Sequence, residues 1–241
     1  MPNPSVDALK QDGVCCLKAV FRPDEVAHFR DKVLQNLDQM GRTRSASHSH
    51  HLAGFHRFPT FAKLHAELAT HPTVTAFLSH VFDQDPYLSI GLSDITVNRS
   101  QHWHTDLLRG PYAQHLEGID PWAPTVGPCI KVLLYLQPGK SLRIVRGSHL
   151  SPTPLDDAAL EQLAQSETVD RLELETGDVV MMDLRALHRG STDEEMAATA
   201  GGAQSKILMS TVFAPLSSPL SQAIQVGNAH RMVDWDRRHL L

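Results

Sequence analysis

The chain has 241 residues, with 22 Lys+Arg against 27 Asp+Glu and a net charge of −5 when its 15 histidines are neutral. At 41% hydrophobic and 20% charged residues it can bury a core and is neither disordered nor fibrous, and its acidic balance argues against nucleic acid as a partner. No apolar run approaches the ~20 residues needed to cross a bilayer, no signal peptide is visible in Met1-Pro2-Asn3-Pro4, and three cysteines (Cys15, Cys16, Cys129) make no disulfide framework, so the expectation is one domain in a reducing cytoplasm.

Val14 to Phe21 is an apolar run after Gly13 and reads as a strand. Pro23 opens a helix whose apolar face is Val26, Phe29, Val33, Leu37 and Met40, with Gly41 as its stop. Phe61, Leu64 and Leu68 mark a second helix that breaks at His71-Pro72, and Val74, Phe77, Leu78 and Val81 mark a third. From residue 87 the period changes to two: Ile90, Leu92, Ile95 and Val97 alternate with polar neighbours, with a slip near Ser93 that suggests a bulge. Further strands are expected at 100–106, 129–137, 142–146, 170–175, 178–184 and 205–214, with a helical excursion from Leu155 to Gln165. The expected layout is a helical flank over 1–86, a β core over 87–214 and a C-terminal extension over 215–241, mainly β with flanking helices. Loops at 41–58, 109–127 and 189–204 are long for such a domain, and one of them is expected to act as a lid.

Fifteen histidines make chance motifs cheap. On a strand, residues i and i+2 face the same way, so His104 and Asp106 in Gln101-His102-Trp103-His104-Thr105-Asp106 present an imidazole and a carboxylate side by side. With a second histidine such a pair forms the two-His-one-carboxylate face that holds Fe(II) and leaves positions open. His65-x-Glu67 lies on a predicted helix, where i and i+2 diverge, and His115-x-Glu117 lies in a loop with no partner strand. The Ser45–His51 run, with three histidines, reads as a polar loop rather than a second metal site. Trp103 and Trp122 read as packing residues.

Downstream lie Lys131-Val132-Leu133-Leu134-Tyr135-Leu136, then Leu142-Arg143-Ile144-Val145-Arg146-Gly147-Ser148-His149, then Gly177-Asp178-Val179-Val180-Met181-Met182-Asp183, and then His188. This order resembles the phytanoyl-CoA dioxygenase-like family of Fe(II)- and 2-oxoglutarate-dependent oxygenases, which shows W-H-x-D, G-x-L-x-x-x-P-G-S-H, G-D-x-x-x-x-D and a distal H-x-S. The likeness runs from about residue 88 to 214, and the Gly13-Val14 strand with the Pro23-Asp24-Glu25-Val26 helix also looks like the family. It implies a double-stranded β-helix, the cupin-like jelly roll, with His104, Asp106 and His188 as iron ligands and catalytic centre, and with Fe(II), 2-oxoglutarate and O2 as cofactors.

The resemblance further implies a cation for the far carboxylate of 2-oxoglutarate, usually an arginine opening the strand after the distal histidine. Lys206 stands there instead and supplies charge without the bidentate fork of arginine. Lys131 is a rival, because a lysine heading an apolar strand must pair inside or snorkel out; Arg185 is another. Thr96 and Asn98 share a strand face and could touch 2-oxoglutarate, as could Ser191, although His188-Arg189-Gly190-Ser191 has one residue more than H-x-S. Arg109, Arg143, Arg146 and Arg185 cluster near the predicted mouth and suggest an anionic group on a small-molecule substrate. The expected activity is hydroxylation or a related oxidation of such a metabolite, with succinate and CO2 as co-products. The alternatives are a cupin-like metal-binding or sensing protein without turnover, and a metal-free jelly-roll interaction module.

Overall fold

A computed structural model of the chain describes residues 4–42, 49–164, 166–199 and 205–240. Its elements in order are α1 (Pro4–Asp12), β1 (Val14–Leu17), α2 (Pro23–Leu34), β2 (Gly41–Arg42), β3 (His50–Ala53), α3 (Pro59–Ala69), α4 (Pro72–Val81), β4 (Tyr87–Val97), β5 (Ile130–Tyr135), β6 (Arg143–Val145), α5 (Asp157–Ala164), β7 (Val169–Arg171), β8 (Val179–Asp183), β9 (His188–Arg189), α6 (Asp193–Thr199), β10 (Ile207–Pro215) and α7 (Pro219–His239). Seven strands form an antiparallel sheet in the order β1-β8-β5-β10-β4-β3-β2, and a smaller sheet has the order β7-β6-β9.

Period-two alternation decides which residues face which layer. On the outer face of the large sheet, Ile95, Val97, Ile130, Val132, Leu134, Val179, Met181, Ile207 and Met209 form one core with Val26, Phe29, Val33, Phe61, Leu64, Leu68, Val74, Phe77 and Leu78 of the helices. The alternate residues Val14, Leu133, Tyr135, Val180, Met182 and Leu208 turn inward and meet Leu142 and Ile144 from the small-sheet side. Two antiparallel sheets closed over a shared interior, with helices on one outer face, make a double-stranded β-helix. The pairing of β10 with β4 shifts between Thr211 and Phe213, beside Gly91, whose φ of +76° is open to glycine at no steric cost. This is the irregularity expected near Ser93.

Several boundaries differ from the sequence reading. The helix from Pro23 ends at Leu34, because the Asn36 side chain takes the Lys32 carbonyl at 2.7 Å and competes with the helical ladder. Leu37 and Met40 follow in a single 3-10 turn and its exit, yet still pack on the core. Residues 100–106 form no strand: they meet the chain around His188 through an isolated bridge, His104 N–H to His188 O at 2.9 Å and His188 N–H to His104 O at 3.1 Å. The segment 41–58, read as a loop, carries β2 and β3, and 189–204 carries α6; Thr43 to His48 and Ala200 to Gln204 lie outside the described residues. The C-terminal extension is a 21-residue helix, begun by Ser218, whose hydroxyl accepts from Ser221 N–H, and by Pro219 in the first turn. Its buried stripe includes Ser221, Ala223, Gly227 and Asn228 beside Leu220, Ile224, Met232 and Trp235, so the apolar period that announces a helix is diluted. Among the described residues no helix is long and apolar enough to cross a membrane.

Candidate active site

The motifs of the β core act first as scaffolding. Gly177 has φ +89°, and a Cβ there would lie 2.1 Å from the Phe21 carbonyl oxygen, so only glycine fits the turn. Asp178, next in the chain, accepts from Ala19 N–H at 3.0 Å, Glu175 N–H at 2.9 Å and Lys18 Nζ at 2.7 Å. Burial alone would lift its carboxyl, but these donors hold it below the usual range. The turn thereby aligns β8 with β1. In the Gly-Ser-His segment, Ser148 Oγ donates to Val145 O at 2.6 Å and accepts from Leu187 N–H at 2.8 Å, which fixes the residue just before His188.

His104, Asp106 and His188 meet inside the barrel, with one potential ligand atom from each all within 4.8 Å of one another. His104 Nε2 lies 3.7 Å from Asp106 Oδ1, and His188 Nε2 lies 3.8 Å from Asp106 Oδ2. Both imidazoles are oriented by backbone carbonyls, His102 O at 2.7 Å from His104 Nδ1 and Ala186 O at 3.0 Å from His188 Nδ1. A carbonyl can only accept, so Nδ1 carries the hydrogen and each Nε2 presents its lone pair toward Asp106. Burial pushes both imidazole pKa values down, His188 to about 3, so both are neutral near pH 7. Burial would raise the Asp106 carboxyl, but the Lys131 ammonium, donating to Oδ2 at 2.6 Å, holds it well below the carboxylate range. Two neutral nitrogens and one ionised carboxylate oxygen are a donor set suited to a divalent first-row metal.

The surrounding cavity has a volume of about 240 Å³ and is lined by Asp94, Thr96, Arg99, Gln101, Tyr112, Lys131, Tyr135, Leu208, Ser210 and Arg231 as well as the triad. Thr96 and Lys131, both expected near the co-substrate, are therefore on its wall; Lys131 pairs inward rather than snorkelling. Asn98 is not: with φ +50°, its side chain accepts from Lys206 N–H at 2.8 Å and closes the end of the β4–β10 ladder. Nor are Lys206 and Ser191, both expected at the co-substrate, among the lining residues: Lys206 immediately precedes β10, and its Nζ donates to Ser191 Oγ at 3.0 Å. No carboxylate of the described residues lies within ion-pair distance of it, and burial lowers its pKa to about 8 against the weaker pull of Glu195.

The structure does not bring the predicted substrate arginines to the cavity wall. Arg109 is held by the Thr153 carbonyl. Arg146 is exposed and turned to Glu167 O at 3.1 Å and Asp170 at 3.5 Å. Arg185 makes a bidentate pair with Asp183 at 2.9 and 2.7 Å. Sequence proximity points all three at the mouth, and each is instead consumed by a nearer acceptor. Arg143 likewise turns outward to Glu195 at 3.3 Å. The residues that sequence reasoning missed are Asp94, Tyr112, Arg99 and Arg231. Asp94 carried a signal, an acid on the same period-two face as Thr96; Arg231 did not, because its helix was unread. His51, from the histidine run, donates to Asp94 Oδ1 at 3.3 Å, and burial keeps it neutral with a pKa of about 4.

The family model described as Phytanoyl-CoA dioxygenase (PhyH) matches residues 9–193. No curated protein matches the chain by sequence. Among solved structures, the fold is similar to HygX from Streptomyces hygroscopicus, crystallised with nickel, 2-oxoglutarate and hygromycin B (TM-score 0.65, 17% identity, 90% of this chain and 88% of that one). It is also similar to the 2-oxoglutarate-dependent carbocyclase SnoK from nogalamycin biosynthesis (TM-score 0.64, 15% identity, 89% and 84%) and to EctD from S. alaskensis in its apo form (TM-score 0.63, 17% identity, 90% and 78%).

Proposed function

Because the chain belongs to the phytanoyl-CoA dioxygenase (PhyH) family and is a 2-oxoglutarate-dependent non-haem iron dioxygenase using Fe(II), 2-oxoglutarate and O2, we propose that His104, Asp106 and His188 hold its iron and that it oxidises a small molecule bound in the cavity beside them. The observation that carries this reading is the convergence of three donors within 4.8 Å, each with its lone pair free and its orientation set by a carbonyl or an ammonium. When bound, the iron and 2-oxoglutarate supply an oxidant strong enough for an unactivated C–H bond, with succinate and CO2 as co-products.

The chain's own residues bind, orient and exclude. The Nδ1 bonds keep His104 and His188 in the tautomer that offers Nε2. Lys131 holds Oδ2 of Asp106, which fixes the carboxylate plane and leaves Oδ1 as the free oxygen. Lys206, buried beside Ser191 with no carboxylate partner among the described residues, is assigned the far carboxylate of 2-oxoglutarate, with Ser191 sharing the load. Thr96, on the cavity wall, is also assigned a contact to 2-oxoglutarate. The walls of Leu133, Tyr135, Leu142 and Leu208 keep water from the reacting carbon. A cavity of about 240 Å³ suits a small molecule, and Arg99 and Arg231 on its wall favour one with an anionic group.

The test is succinate formation from 2-oxoglutarate in the presence of Fe(II), stimulated by candidate metabolites. His188→Ala should abolish both turnover and metal uptake. Metal uptake by the unmodified chain without any succinate would instead favour a cupin-like binding protein.

A further inference from the structure

Arg231 comes from α7, outside the residues 9–193 that match the family, yet it lines the catalytic cavity together with Asp94 of β4. The hydrogen bonding of this pair is incomplete in a specific way. Of the five guanidinium N–H groups, Nε donates to Asn228 Oδ1 at 3.2 Å, and Nη2 donates to Asn228 Oδ1 at 3.1 Å and to Asp94 Oδ1 at 3.0 Å. Both hydrogens of Nη1 remain without a partner among the described residues. Asp94 Oδ1 also accepts from His51, while Oδ2 has no partner among the described residues. The side chains are only 14% and 16% exposed, yet neither Nη1 nor Oδ2 is fully enclosed, and both residues line the cavity. An unpaired donor and an unpaired acceptor on one cavity wall are complementary to a ligand that carries both charges, and such a ligand would complete both at once.

The position of the pair separates it from the co-substrate end. Asp94 pairs with Ser210 across the β4–β10 ladder, and Lys206 lies four residues before Ser210, roughly 13 Å along an extended strand. Lys206 and its partner Ser191 lie off this wall, whereas Asp94 and Arg231, an anion and a cation side by side, are on it together with Arg99 and the Asp106-bound Lys131. Burial would lift the Asp94 carboxyl, but Arg231 and His51 hold it well below the usual range, so it is ionised.

We propose that Asp94 and Arg231 form the substrate-selecting subsite and that it recognises a zwitterionic, amino-acid-type head group. The substrate carboxylate takes the two Nη1 hydrogens of Arg231, and its ammonium donates to Asp94 Oδ2. This alternating array of four charges is net neutral, matching a pair that is itself neutral, whereas a simple anion would leave Asp94 Oδ2 unsatisfied and repelling. The inference rests on the cavity being the active site, as proposed above.

The experiment uses the enzyme loaded with Ni(II) in place of iron and with saturating 2-oxoglutarate. Uptake of both is measured first by titration calorimetry. The twenty standard α-amino acids are then added as a mixture and singly, each compared with its des-amino acid and its decarboxylated amine, with the thermal midpoint as readout. At least one amino acid should bind at least tenfold tighter than either matched half. Asp94→Asn should reduce that amino acid's affinity tenfold or more and leave the des-amino acid within twofold. Arg231→Gln should weaken both, while 2-oxoglutarate affinity stays within twofold in either variant. The probe series on the unmodified enzyme decides the question even if Asp94→Asn does not fold. A des-amino acid that binds as tightly, or no response to any amino acid from an enzyme that has taken up nickel and 2-oxoglutarate, overturns the proposal. A tenfold loss of 2-oxoglutarate affinity in Arg231→Gln also overturns it, because Arg231 would then serve the co-substrate. Failure to take up nickel and 2-oxoglutarate at all defeats the functional reading, and this proposal with it.

Discussion

Lys206 is the residue to which the proposed function assigns the co-substrate's far carboxylate. Its ammonium is buried beside Ser191 with no carboxylate of the described residues within ion-pair distance, so an incoming carboxylate gains a desolvated partner. Lys206→Ala should raise the Michaelis constant for 2-oxoglutarate roughly 100-fold, about 3 kcal/mol, and leave metal affinity unchanged; an unaltered constant would move the anchor to Lys131. The pKa of about 8 sets a pH dependence. On that assignment charged Lys206 would bind the dianion and neutral Lys206 would not, so 2-oxoglutarate affinity should be full well below pH 8 and fall as pH rises through it. The folding linkage runs the other way. A lysine lowered from 10.5 to about 8 by burial destabilises the ligand-free fold while charged, and that cost disappears as pH climbs from about 8 to 10.5. A pH series of both the Michaelis constant and the thermal midpoint of the ligand-free protein checks the two opposite trends.

At the scale of elements, two features hold the cavity walls in place. The turn at Gly177 brings the chain within contact of the Phe21 carbonyl, and Gly177→Ala should cost about 3 kcal/mol, from positive-φ strain and the clash together, measured by denaturant unfolding. Helix α7 is clamped to the body by Trp235, packed against Phe58 and His51, and by the bidentate Arg57–Asp236 pair at 2.9 Å. Tyr112, from the 3-10 segment 110–116, donates to Asp234 on the same helix at 3.1 Å, so α7 and that segment close one side of the cavity together. Trp235→Ala should cost about 3–5 kcal/mol. Because α7 carries Arg231, the variant should also weaken substrate-stimulated turnover more than 2-oxoglutarate binding; equal losses in both would show that the helix has no separate part in substrate selection.

For the whole molecule, metal binding and folding are one equilibrium. His104 and His188 are far apart in sequence and meet only because β9 and the 101–106 segment bridge at their backbones. The unfolded chain presents no such set, so a metal held by all three donors stabilises the native state by about 2.7 kcal/mol at a free concentration 100 times its dissociation constant. A metal-dependent rise in thermal midpoint should be present in the unmodified chain and absent in His188→Ala. A rise that survived the substitution would place the metal elsewhere.

Local pattern was enough to read the helices over Phe61–Leu68 and Val74–Val81, the strands that alternate with period two, and the His104, Asp106 and His188 set, since strand alternation and motif order are written along the chain. The His-x-Asp pair was legible for a reason only partly right: the segment is not a strand, and the carboxylate is positioned by Lys131 across the barrel. The second environment of each charge was not legible. Arg109, Arg146 and Arg185 look alike in sequence to Arg231, and which cation reaches the cavity depends on which acceptors the fold places nearer. Arg185 meets Asp183 two residues away, whereas Arg231 depends on a helix whose small and polar buried stripe hides its period. Side-chain type and spacing are properties of the chain, but the pairing of buried charges is a long-range competition among acceptors, and only the closed barrel with α7 laid against it decides the outcome.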